Sequence, residues 1–179
     1  LLPEDDPGAF IIVLEYVYSA GANIPPPGYT AASTWFLAYI LADKLCMKEA
    51  CSAFLNHIMD FLSINPVFCT TVHQTLREFP ECAATNYLIA QVAWDLIESG
   101  YDWICGCEDQ KDGTACGWCQ FVSNGGPIVI RILKAVANGF KDGETEPCDR
   151  GAEYWIDQAR ELQRKCGERA HIYEQEIKD

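Results

Sequence analysis

Leu2-Pro3-Glu4-Asp5-Asp6-Pro7-Gly8-Ala9-Phe10, running on through Leu14-Glu15-Tyr16-Val17-Tyr18-Ser19-Ala20-Gly21, is the stretch that decides the fold. Asp5 and Asp6 carry carboxylates that cap a helix N-terminus, and Pro7 suits the first helical position because its missing N–H has no intrahelical role there. A helix therefore starts at this point. Phe10, Val13 or Leu14, and Val17 recur at three- and four-residue spacing, which gives it an apolar face, and Gly21 stops it. Asn23-Ile24-Pro25-Pro26-Pro27-Gly28 cannot extend a helix, since successive prolines remove donors and fix φ, so it reads as a loop. From Ser33 or Thr34, the positions Phe36, Leu37, Ile40 and Leu41, then Met47, Cys51, Phe54, Leu55, Ile58, Met59 and Leu62, describe two amphipathic helices broken near Cys46. Helices joined by so short a break pack on each other.

With Leu41-Ala42-Asp43-Lys44-Leu45-Cys46-Met47 added, these residues resemble the BTB/POZ fold in the form common in fungal proteins. In that family an acidic Leu-Pro-Glu-Asp-Asp-Pro turn leads from a strand into an Ala-Phe-x-x-x-Leu-x-x-x-Tyr helix. A Leu-Ala-Asp-Lys-Leu-x-Met helical hairpin follows. The match covers residues 1 to 62 and begins in the middle of the family's domain, so the resemblance implies the carboxyl half of a BTB/POZ-like domain. The family's early strands and first helices are not in this sequence. Its members self-associate, and many are substrate adaptors for cullin-type ubiquitin ligases or parts of transcriptional regulators. The acidic and hydrophobic segment that meets a cullin belongs to the family's first half. Where that half would pack, an apolar patch carrying Phe10, Leu14, Phe36 and Ile40 is expected to be exposed.

Bulk properties narrow the function classes. The chain has 179 residues, enough for a real core in one domain or one domain with an appendage. Its 13 basic residues oppose 26 acidic ones, a formal net charge of -13, which argues against general nucleic-acid binding because counterion release needs arrayed Lys and Arg. No apolar run approaches the length of a membrane span and no signal peptide is visible, so no membrane partner is expected. Of the ten cysteines, Cys46, Cys51, Cys69, Cys82 and Cys166 fall in or beside helical patterns and read as small apolar core residues. With no Asn-x-Ser/Thr sequon, a cytoplasmic or nuclear protein is the expectation.

Residues 63–179 read as an all-helical extension with a Cys-rich loop. Asn65-Pro66 opens a short helix carrying Val72, Leu76 and Phe79; Ala83 or Thr85 begins another with Leu88, Val92 and Leu96 on one face, closed by Ser99-Gly100. Residues 101–126 are rich in Cys, Gly and Asp and show no period, so they read as a compact loop. Pro127 reopens a helix with Val129, Leu133, Val136 and Phe140 on one face. From Arg150 the positions Trp155, Ala159, Leu162, Cys166, Ala170, Tyr173 and Ile177 predict one long helix that tolerates Gly167 and packs on the helix of Val129 and Leu133. The fold class expected is mainly α.

Cys105-x-Cys107, with Cys116-Gly117-Trp118-Cys119 eight residues on, is the sharpest chemical constellation. Four thiolates match the ligand count of a structural zinc site, and a loop without an apolar core needs ordering energy that a metal supplies. Free thiols and a disulfide are the alternatives, and Cys148 or His171 are further ligand types. Cys116-Gly-Trp-Cys119 also fits a redox pattern, but Gln120-Phe121-Val122-Ser123-Asn124-Gly125-Gly126 reads as no helix start, so a thiol oxidoreductase is a remote alternative. His57, His73 and His171 are scattered, with no second ligand three or four residues away. The five tryptophans read as packing residues, with Trp118 in an exposed loop a further candidate anchor for a partner. The function expected is a non-catalytic protein-protein interaction module, with a zinc-stabilised structural or regulatory protein acting through residues 101–177 as the alternative.

Overall fold

The computed structural model describes residues 6–21, 32–64, 81–100, 117–139 and 146–176, with the side chains of Ala32 and Gln163 and those from 166 onward outside that description. Among them are seven α-helices and one 3-10 turn, and no strand: α1 (Pro7–Tyr18), α2 (Ala32–Lys44), α3 (Lys48–Ile64), α4 (Ala83–Glu98), α5 (Gly117–Asn124), α6 (Pro127–Asn138), the 3-10 turn Pro147–Arg150, and α7 (Ala152–Glu176). The fold is mainly α. No described helix is long and apolar enough to cross a membrane.

Local chemistry sets the helix ends. Asp6 holds the N-cap of α1, its carboxylate accepting the Ala9 N–H at 2.9 Å, with Pro7 in the first turn. Between α2 and α3 the chain turns through a Schellman arrangement: the Met47 N–H reaches the Ala42 carbonyl and the Cys46 N–H reaches that of Asp43, each at 2.9 Å. Cys46 takes the left-handed position at φ 57°, where glycine is usual. The α7 N-terminus is satisfied from α3, since Asn56 Oδ1 accepts the Ala152 N–H at 3.2 Å and the Ser52 hydroxyl donates to the Glu153 carboxylate.

One hydrophobic cluster draws on all seven helices, from Ile12 and Val13 through Phe36, Phe54, Leu88 and Trp118 to Val129 and Trp155. Each fully buried Leu or Phe contributes about 1.5–3 kcal/mol relative to exposure, so this cluster is the main source of stability. The helix pairs α1/α2, α2/α3 and α4/α6 are in close contact, and α7 lies across α3 and α4. Arg131 ties α6 to α4, donating to Asn86 Oδ1 at 2.6 Å and pairing with Glu81 at 3.2 Å.

Five expectations are corrected. The long helix runs unbroken past Gly167, but its principal neighbours are α3 and α4 rather than α6; Leu133 and Leu162 both face solvent because α6 turns Val129 and Ile132 inward instead. Residues 117–124 form a helix within the stretch read as loop, since Trp118 and Phe121 at three-residue spacing bury one side of it. Residues 101–116 lie outside the described residues, as does the helix expected after Asn65. Trp118 is therefore core and not an exposed anchor. Phe36 is also core, 1% exposed, and Cys46 is exposed rather than core because it sits on the outer turn between two helices.

Candidate functional site

Helix α1 is apolar on two sides, and only one of them is covered. Ala9, Ile12 and Val13 are buried, and the Tyr16 ring meets Phe54 of α3 edge-on at 5.3 Å. The other side presents Phe10, Ile11, Val17 and Tyr18, the last of them 86% exposed, with half-buried Leu14 between. Positions 10, 11, 14, 17 and 18 share a face at helical spacing, so these side chains form a continuous stripe. Glu15 is the one charged side chain within the helix.

A second feature is a cleft of about 210 Å³ where the α2–α3 turn, the start of α4 and the middle of α7 meet. Its floor holds Tyr39, Cys51 and Cys82, all buried, beside Ala83, Ile156 and Ala159. Exposed Asp43, Cys46, Lys48 and Arg160 line its mouth. Burial, with Asp43 adding to it, pushes the Cys51 thiol up to about 12, and burial raises that of Cys82 despite its contact with the Thr85 hydroxyl at 3.3 Å. Burial likewise raises the Tyr39 phenol, whose hydroxyl has no hydrogen-bond partner among the described residues. At neutral pH the floor is thus uncharged and its thiols protonated, while the mouth carries two cations and one carboxylate.

Of the four sequence-predicted metal ligands, Cys105, Cys107 and Cys116 lie outside the described residues. Cys119 is half-buried in the first turn of α5, packed against the core. The helix after it removes the ground on which the redox pattern was set aside, although the chain before Gly117 is not described. Among the described residues no group of three His, Cys, Asp or Glu side chains is arranged to hold a metal. His57 lies against Trp35 with ring centroids 4.0 Å apart and the planes tilted by 42°, and burial lowers its pKa. His73 and the His171 side chain lie outside the description.

Sequence reasoning missed the cleft because its lining comes from three segments far apart in the chain. The one available signal was Cys46 at the break between two helices. Comparison with protein-family models, curated proteins and solved structures finds no match to this chain.

Proposed function

We propose that the chain is a non-catalytic protein-protein interaction module of BTB type, which associates with a second copy of itself through the exposed face of α1. The observation that carries this reading is the second apolar face of α1, Phe10, Ile11, Val17 and Tyr18, left uncovered beside a well-filled core. Such a stripe contributes binding energy only when a partner removes it from water. The sequence resemblance supports it further. The Leu41–Met47 motif that carries it spans the end of α2 and the turn into α3. Work as an adaptor for a cullin-type ubiquitin ligase follows from the resemblance alone and is the next partner to try.

Size-exclusion chromatography with light scattering, run over a concentration series, tests the proposal. The expected result is a mass that rises from one chain to two with concentration. It should rise more readily at higher salt, because the net charge of -13 on each copy is then screened. A single-chain mass throughout would overturn the reading.

A further inference from the structure

We infer that Cys46 is a modification site, at which a small anionic disulfide exchanges to leave a mixed disulfide seated in the adjoining cleft. Three thiols line this one cleft, and they differ in access: Cys46 is exposed at the mouth, while Cys51 and Cys82 are buried in the floor. Only the first meets a solute without opening the fold. Beside it the cleft offers about 210 Å³ of room, apolar walls from Ala83, Ile156 and Ala159, and the Tyr39 side chain, 3% exposed as a whole, whose hydroxyl makes no hydrogen bond to another described residue. An adduct with a polar atom on a short stem would supply that partner.

Charge selects the class of reagent. Among the charged residues that line the cleft, Lys48 and Arg160 outnumber Asp43, on a chain that is strongly negative as a whole. Arg160 also pairs with the exposed Asp157 at 3.2 Å, an interaction that solvent weakens and a carboxylate on the ligand can share. The step is ordinary thiol-disulfide exchange. The Cys46 sulfur attacks one sulfur of the disulfide, the S–S bond breaks, a new one forms at Cys46, and the leaving thiolate takes up the proton that Cys46 gave up. No other oxidant is consumed.

The test is peptide mapping by mass spectrometry of the native 179-residue chain after timed exposure to oxidised glutathione or to cationic cystamine, in about 0.15 M salt, where exposed charges more than about 8 Å apart are largely screened. One glutathione adduct is expected at Cys46, with Cys51 and Cys82 unmodified. In a Lys48→Glu/Arg160→Glu variant the ratio of anionic to cationic rates at Cys46 should fall about tenfold. An Ile130→Glu/Leu133→Glu/Lys134→Glu variant on α6 changes the net charge equally at exposed positions that do not line the cleft, and should leave the ratio within about twofold of the parent. Cys46→Gly should lose the adduct and fold normally, since glycine takes the left-handed turn position without strain. An unmodified Cys46, an internal Cys46–Cys51 bond in place of the adduct, or an equal loss of rate ratio in both charge variants would overturn the inference.

Discussion

The Trp155 ring of α7 meets the Tyr87 ring of α4 edge-on with centroids 5.7 Å apart, and the Trp155 indole N–H donates to the Pro147 carbonyl at 3.2 Å. One side chain thereby joins three elements: α4, the 3-10 turn and α7. It is 3% exposed, so its whole area is withdrawn from water.

Trp155→Ala should therefore cost about 3–5 kcal/mol, the range for emptying a large aromatic site in a core. Trp155→Phe keeps a ring against Tyr87 and forfeits the hydrogen bond to Pro147, and should cost less. Urea unfolding followed by circular dichroism measures both. A Trp155→Ala cost below 1 kcal/mol would show that α7 is not held by this junction.

Asp6→Ala removes the acceptor for the Ala9 N–H and should cost about 1 kcal/mol, while Asp6→Ser should recover most of it. The same unfolding curves read the effect. Because α1 carries the proposed docking face, the alanine variant should also weaken self-association.

His57 gives stability a pH dependence of defined sign. Burial lowers its folded-state pKa below the ordinary value near 6.5, with Asp60 opposing the shift. The unfolded chain then binds the proton more readily, so this contribution is full above pH 6.5 and is lost as pH falls through the folded-state pKa. His57→Phe should flatten the unfolding midpoint between pH 7 and pH 5 relative to the parent. A midpoint that drops equally in both would place the effect elsewhere.

Zinc at Cys105, Cys107, Cys116 and Cys119 remains a proposal that elemental analysis of native, unchelated protein decides. One zinc per chain is expected, with Cys116→Ser lowering the melting temperature by several degrees. Protein free of zinc, in which Cys116→Ser leaves the melting temperature untouched, would reject it.

Much of the helical plan was legible because its signals are local. The Asp6-Pro7 start, the break at Cys46, the Pro127 start and the three/four spacing of α7 each rest on a few adjacent residues, and each falls where the structure has it. Which face turns inward was less legible. Helix α1 and helix α6 are apolar on more than one side, so the pattern names the candidates, and the neighbours choose Val129 and Ile132 over Leu133. Helix α5 was missed because Gly117, Ser123 and Asn124 are poor helix formers, and the burial of Trp118 and Phe121 outweighs that preference. Of the candidate sites, the α1 face could be read in part through Phe10, whereas the cleft depends on residues from 39 to 160 meeting in space.

Sedimentation equilibrium on three forms of the chain tests the α1 interface most directly: the parent, Ile11→Glu/Val17→Glu on α1, and Ile130→Glu/Leu133→Glu on α6. All four substituted positions are exposed by about half, so neither pair disturbs the core. Both pairs also add the same charge. The account predicts that the parent and the α6 variant associate to two chains with dissociation constants within about fivefold of each other, and that the α1 variant stays a single chain at least tenfold above the parent's dissociation constant. A parent that is a single chain at every concentration, or an α1 variant that associates as the parent does, would contradict it.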